Sequence, residues 1–357
     1  MIFTAPSTGA KVKMTERASP GGGDLLINIS CDQRTADDVA DAVGNARGRE
    51  IYDDNPSAFE LKALEQLKDA SPALVRAINL AFSRNPAAIR VTGLPSRQPP
   101  PATPLDGVAA QDELQLPLRL LAGAARAASL VGFAYASENG GRIVRAVCPV
   151  QTEAETVSSH GAVDLGFHAD NADLPVPDAF DLHPGDTKPM NAWQGFVTIT
   201  PRARVPMRFM VLADAIAWMR MRRWDEHIDR LMQPEFNAAK PASHGIDAVL
   251  SNLPVLVPTR SGAMASRYHA VNITGMNRDA TLALAAFGAA IEMCKAELLV
   301  PGRAGDLLFY QNPRCLHRRQ AFKPAYDGQD RFYLRVYFDD VARVESAAAG
   351  RHRRVYL

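Results

Sequence analysis

Cysteine is scarce in this chain, with four residues in 357: Cys31, Cys148, Cys294 and Cys315. They form no C-x-x-C pair and no zinc spacing, which argues against a disulfide framework or a structural zinc site. Neither sign of charge dominates. Forty Lys and Arg face 39 Asp and Glu, a net charge of +1, so no global field directs the chain to nucleic acid or an anionic membrane. No segment approaches the ~18 consecutive apolar residues of a membrane span. The first residues, MIFTAPSTGAKVKMTERASPGGGD, lack the apolar core of a signal peptide. With so few thiols, this predicts a reducing, cytoplasmic setting. There is no G-x-G-x-x-G or Walker loop and no internal repeat.

What is present is a chain of 47% hydrophobic residues, enough for a large buried core. Residues 1–24, closed by Gly21-Gly22-Gly23, are expected to be poorly ordered. A single domain is expected over 25–345. Residues 346–357 read as a solvated basic tail carrying Arg351-His352-Arg353-Arg354.

The part from about 25 to 130 reads as helical. Thr35 with Asp38, and Ser57 with Glu60, resemble capping boxes, and Ser71-Pro72 sets a cap before a proline at the first helical position. AAIRVTGLP reads as a strand, SRQPPPATPLDG as a loop crossing the surface of one domain, and QLPLRLLAGAARAASL as a long helix. From about 131 to 345 the pattern changes to short strands: RIVRAV, VDLGF, GFVTIT, RFMVL, AVLSNLPVLV, RYHAVNI, DLLFY and RFYLRVYF. Helices near DAIAWMRMRRWDEHIDRLM and DATLALAAFGAAIEMCKA interrupt them. The expected fold is mainly β, a jelly-roll core with N-terminal and inserted helices as cover.

Two His-x-Asp patterns occur, His168-Ala169-Asp170 and His227-Ile228-Asp229. The second lies in a charged stretch with helical spacing, where residues i and i+2 point apart. The first follows a strand, and on an extended segment i and i+2 share a face. His317, in QNPRCLHRRQAF, follows a strand and is expected to begin a turn; it is the candidate third ligand. Two histidines and a carboxylate on one face leave three positions open, the arrangement of non-heme Fe(II) oxygenases rather than of a closed zinc site. His160 and His183 have no acidic partner two residues on. His269 either lines the pocket or is a satisfied buried histidine. Asp173 is assigned either to the loop after the pair or to the surroundings of the ligands.

NPRCLHRRQAFKPAYDGQDRFYLRVYF resembles the C-terminal signature of the clavaminate synthase-like Fe(II)/2-oxoglutarate dioxygenases, through His317, Arg319, Phe322, Tyr326-Asp327-Gly328 and Arg331-Phe332. The resemblance runs from about Gly132 to Asp340. It implies a double-stranded β-helix and an oxidoreductase that uses Fe(II), 2-oxoglutarate and dioxygen to hydroxylate an unactivated C–H bond, with succinate and CO2 as co-products. By motif position, His168, Asp170 and His317 would bind iron and form the catalytic centre. Arg331 would hold the distal carboxylate of 2-oxoglutarate, a contact suited to its charged fork. Arg335, on the same strand face, would hold a substrate carboxylate. Ser158 and Glu138 stand where relatives contact the amino-acid backbone, and His269 is a candidate pocket residue. The implied substrate is a small molecule bearing a carboxylate, a free amino acid or derivative, in the manner of natural-product hydroxylases. Desaturation or ring formation by the same chemistry is one alternative, and a non-catalytic metal-binding β-barrel is the other.

The chain departs from the family at several points. Asp170 replaces the Glu of many members but still supplies an oxygen; halogenating relatives lack that carboxylate. Where His-Gly-Arg is common, His317-Arg318-Arg319 stands. Met207-Arg208 follows RVP, where a threonine usually helps bind 2-oxoglutarate. Arg267-Tyr268-His269, Val271 and Asn272 offer no carboxylate to a guanidinium, which argues against arginine itself as substrate. DLHPGDTKPMNAWQ is a candidate lid.

Overall fold

A computed structural model describes residues 1–4, 9–44, 50–179, 189–201, 207–240, 248–294, 297–300, 302–347 and 354–356. The chain opens on strands rather than on the poorly ordered stretch expected of residues 1–24. β1 (Ile2–Thr4) pairs with β2 (Lys11–Ala18), and β2 pairs along its length with β3 (Leu25–Cys31). The alternation Lys11-Val12-Lys13-Met14 explains the pairing, because Val12 and Met14 turn inward and are fully buried.

Four helices and one strand follow: α1 (Gln33–Gly44), α2 (Pro56–Ala70), α3 (Pro72–Ser83), β4 (Ala88–Thr92) and α4 (Gln115–Ala127). Ser71 caps α3 as expected, its Oγ accepting the Leu74 amide at 3.3 Å. The other two caps lie upstream of the expected residues. Asp32 Oδ1 accepts the Thr35 amide at 2.8 Å, and Asn55 Oδ1 accepts that of Ala58 at 3.2 Å. Both residue types cap at least as well as Thr or Ser, so the earlier acceptor sets the start. Gly123 lets α4 approach α2: a Cβ there would lie 2.8 Å from the Ala63 carbonyl oxygen. The proline-rich loop is tied down where the buried Thr103 donates its Oγ hydrogen to the Asp330 carbonyl at 2.6 Å.

The β-rich part begins with β5 (Leu130–Tyr135), β6 (Arg145–Val147), β7 (Leu165–His168), β8 (Trp193–Thr200) and β9 (Met207–Val211). Then come α5 (Leu212–Met221), α6 (Asp225–Leu231), β10 (Phe236–Ala239), β11 (Val249–Leu253), β12 (Leu256–Pro258), β13 (Met264–Ser266), β14 (Ile273–Gly275) and α7 (Arg278–Met293). The last elements are β15 (Glu297–Val300), β16 (Leu307–Gln311), β17 (Cys315–Arg319), β18 (Phe332–Asp340), α8 (Val341–Ala347) and β19 (Val355–Tyr356).

Two sheets face each other. The larger has ten strands, ordered β1-β2-β3-β4-β16-β8-β18-β5-β19 with β6 also on β18; the smaller is β15-β9-β17-β7. Phe196, Phe209, Tyr310 and Tyr333 fill part of the space between them. Helices α1–α4 pack on the outer face of the larger sheet against Phe309, Leu334 and Phe338, and α5–α7 cover Met210 and Leu316 of the smaller. This is a jelly-roll core with helical cover.

The C-terminal end is not the solvated tail expected of it. Arg354 is buried, pairs with Glu60 at 2.7 Å and donates to Ser57 Oγ at 2.7 Å, while β19 runs parallel to β5. Arg351, His352 and Arg353 lie outside the described residues. Among the described residues no helix is long and apolar enough to cross a membrane.

Candidate active site

The smaller sheet brings the two histidines together by register. His317 stands directly opposite His168 in the antiparallel β17–β7 pair, their ring centroids 4.1 Å apart. His317 lies within β17 rather than at the turn expected of it. The ligand atoms of His168, Asp170 and His317 all fall within 4.8 Å of one another. Asp170 Oδ1 is 3.2 Å from His168 Nε2 and 3.6 Å from His317 Nε2. His168 Nδ1–H donates to the Gly166 carbonyl at 2.8 Å, which leaves Nε2 free to ligate. The second copy, at His227, lies on α6 and joins no such cluster among the described residues.

Electrostatics suit a cation between these groups. Burial alone would raise the Asp170 carboxyl, but Arg335 and the flanking histidines outweigh it and hold it well below the usual range. Burial, then His168, push the His317 imidazole well below its ordinary value, which favours its neutral form. Neutral imidazole nitrogens and a carboxylate oxygen are the donor set of a facial Fe(II) site.

Several residues that hold Asp170 were not singled out from the sequence. Asn312 clamps its backbone, accepting from the Asp170 amide and donating to its carbonyl, both at 2.9 Å. Gln194, on β8, donates to Oδ2 at 2.8 Å, and Tyr310 holds the Gln194 carbonyl at 2.7 Å. Tyr337 Oη donates to Asp170 Oδ2 at 3.0 Å. Arg335 Nη1 is 2.6 Å from Oδ2, and its Nη2 is 3.6 Å from Glu138. The strand alternation of RFYLRVYF was the available signal. Arg331, Tyr333, Arg335 and Tyr337 fall on one face of β18 and its lead-in, while Leu334, Val336 and Phe338 face the helices.

One cavity contains the three ligand residues together with Glu138, Ser158, His269, Arg331 and Arg335. Arg331 is 1% exposed. Among the described residues its Nε and Nη2 have no hydrogen-bond partner, and Phe322 and Tyr333 pack around it at 5.3 and 5.5 Å. Burial pushes its pKa down, and burial followed by the Arg331 charge pushes Arg319 down to about 9. Two buried guanidiniums, each with a donor to spare among the described residues, suit a carboxylate.

Ser158 Oγ is engaged within its turn, accepting the His160 and Gly161 amides at 3.2 Å. Glu138 pairs with Arg145 at 3.5 Å. His269 fulfils both readings: it lines the cavity beside His168, and its Nδ1 accepts the Val271 amide at 3.2 Å. Burial, then His168, push it down to about 3. Asp173 also lines the cavity, almost wholly buried.

The departures have structural counterparts. Arg318 points to the surface, bridging Asp164 at 3.2 Å and Glu292 at 2.9 Å. Met207 lines the cavity opposite Arg319, so this position offers no hydroxyl. Of the candidate lid, residues 181–188 lie outside the described residues, as does His183.

The chain resembles solved oxygenases over nearly its whole length. Asparagine oxygenase in complex with Fe(II), 2S,3S-3-hydroxyasparagine and succinate superposes at a TM-score of 0.75 with 22% identity, covering 92% of this chain and 98% of that one. OrfP in complex with Fe and alpha-ketoglutaric acid gives 0.71 and 20%, covering 92% and 100%. The fold is that of the non-heme iron oxygenases. Another OrfP structure holds Fe, succinate and (3S)-hydroxy-L-Arg, at a TM-score of 0.68 and 19% identity over 92% of this chain. No protein-family model matches the chain. Within this oxygenase fold, the expected ligand residues converge where the two sheets meet.

Proposed function

We propose that this protein is an Fe(II)/2-oxoglutarate-dependent oxygenase that hydroxylates a C–H bond of a free amino acid or close derivative. The observation that carries this reading is a facial His-Asp-His cluster sharing one cavity with a buried, underpartnered Arg331. A purely structural metal site has no use for that arginine. The solved structures of the same fold support the substrate class, since they hold hydroxyasparagine and hydroxyarginine with succinate.

His168, Asp170 and His317 would hold Fe(II), which with 2-oxoglutarate and dioxygen supplies the oxidant for the C–H bond. Arg331 binds the distal carboxylate of 2-oxoglutarate through its spare Nε and Nη2. Gln194, Tyr337 and Arg335 fix Oδ2 of Asp170, so that Oδ1 stays turned to the histidines. Arg335 and Glu138 orient the polar end of the substrate, with Ser158 and His269 in the surrounding wall. Positioning of the target carbon then selects the bond attacked. The cysteine usage fits a cytoplasmic setting, and none of the four is in a disulfide.

The test is a screen of amino acids for stimulation of succinate formation from 2-oxoglutarate, with product mass measured in parallel. The expected result is severalfold stimulation by at least one amino acid, which gains one oxygen atom. Stimulation by none of them contradicts the substrate assignment.

A further inference from the structure

The carboxylates in the cavity wall are Glu138, Asp170 and Asp173. Two are accounted for. Asp170 meets the histidines, Gln194, Tyr337 and Arg335, and Glu138 meets Arg145, Arg335 and Tyr337. Asp173 differs. It is 4% exposed, its Oδ1 is buried without a hydrogen-bond partner among the described residues, and it joins none of the ion pairs that hold the other two.

The backbone around Asp173 is fixed. Asn171 adopts a left-handed φ of 57°, and the Leu174 amide closes a turn on the Asn171 carbonyl at 2.9 Å. The buried Arg267 grips the carbonyls on either side, Ala172 at 3.3 Å and Leu174 at 2.9 Å. Arg267 thus spends these contacts on the backbone that carries Asp173. Upstream, Asn312 clamps Asp170. The carboxylate is therefore held at the cavity and cannot easily swing to water. A buried carboxylate without a partner is costly, and a cation arriving with a ligand removes that cost.

We propose that Asp173 anchors an ammonium group of the substrate, as a specificity-determining residue. This rests on the oxygenase reading above. The arginines of the cavity face anions, and Asp173 supplies the opposite sign, so the wall complements a zwitterion or a longer amine-bearing acid. Asp173 follows the metal-ligand candidate Asp170 by only three residues, so an amine held there lies beside the reaction centre. It also supplies a carboxylate that the Arg267–Asn272 stretch lacks.

The experiment uses the full chain loaded anaerobically with Fe(II) and 2-oxoglutarate. Isothermal titration calorimetry measures L-norleucine, 6-aminohexanoate and hexanoate against wild type, Asp173→Asn and Asp173→Ala. At least one amine probe is expected to bind wild type about tenfold or more tighter than hexanoate, and both variants to reduce that preference to within about threefold. The Fe(II) and 2-oxoglutarate affinities should be unchanged. Loss confined to norleucine assigns Asp173 to the α-ammonium; loss confined to 6-aminohexanoate assigns it to a side-chain ammonium. Either supports the proposal. It is overturned if no amine probe outbinds hexanoate, or if the variants keep the preference. If wild type takes up no 2-oxoglutarate, the oxygenase reading itself fails, and this inference with it.

Discussion

Asp170 shows how one side chain turns two histidines into a site. Its Oδ1 faces both imidazoles, while Oδ2 is fixed by Gln194, Tyr337 and Arg335. His168 and Asp170 were legible because an i, i+2 pair at a strand end shares a face. His317 and Arg331 were legible through a spacing resemblance. Gln194 and Asn312 were not, because they reach Asp170 through strand pairing and loop closure that no local pattern encodes. The place of Asp173 in the cavity wall is hidden for the same reason: the backbone on either side of it is held by Arg267, 94 residues away (267 − 173). Gln194→Leu removes a fixed donor behind the ligand and should weaken Fe(II) binding by about 10-fold or more. An anaerobic Fe(II) titration with competing chelator measures this; unchanged affinity would remove Gln194 from the account.

At the scale of elements, the alternation of apolar and charged residues located most core strands, and cap plus proline located α3. The errors have physical causes. β2 was missed because Lys, Thr and Glu occupy its outer face and glycines follow it. β17 was read as a turn because Arg318 and Arg319 interrupt its apolar pattern, although Arg319 is buried, donating to the Ser158 and Val163 carbonyls. β19 was read as tail because its partner, β5, is over 200 residues distant (355 − 135 = 220). Arg354 ties that strand to α2 through Glu60, which also accepts from Tyr52 and the Gly132 amide. Arg354→Ala leaves the Glu60 carboxylate buried without its cation and should cost about 3–5 kcal/mol in urea denaturation. A loss below ~1 kcal/mol would make it an ordinary surface pair.

The junction of β18 and α8 carries a pH signature. Burial, only partly offset by Arg343, raises the Asp339 carboxyl to about 6. Its unfolded value is about 3.9. The folded chain therefore holds this proton more tightly. The contribution to stability is full below about pH 4 and is lost as the pH rises through about 6, at most roughly 3 kcal/mol. Melts of wild type and Asp339→Asn from pH 4 to 8 should show that decline in the difference between them. A pH-independent difference would contradict it.

The whole molecule joins two sheets so that one supplies the histidines of the candidate metal site and the other supplies cations. His168 and His317 come from the smaller sheet, and β18 of the larger sheet, with the residue leading into it, brings Arg335 and Arg331 across the cavity. The sandwich was legible from the count and patterning of short strands. The register that opposes the two histidines was not, since pairing partners are set by the closed core rather than by either segment. The central claim is that this cavity binds Fe(II) and 2-oxoglutarate together, with Arg331 holding the latter. Anaerobic visible absorption of the protein with both tests it most directly. Charge-assisted hydrogen bonds contribute about 1.5–3 kcal/mol each, so losing two should weaken 2-oxoglutarate binding by about a hundredfold or more. A weak charge-transfer band is expected in wild type and none in Arg331→Ala at the same 2-oxoglutarate concentration. No band in wild type, or an undiminished band in the variant, would contradict it.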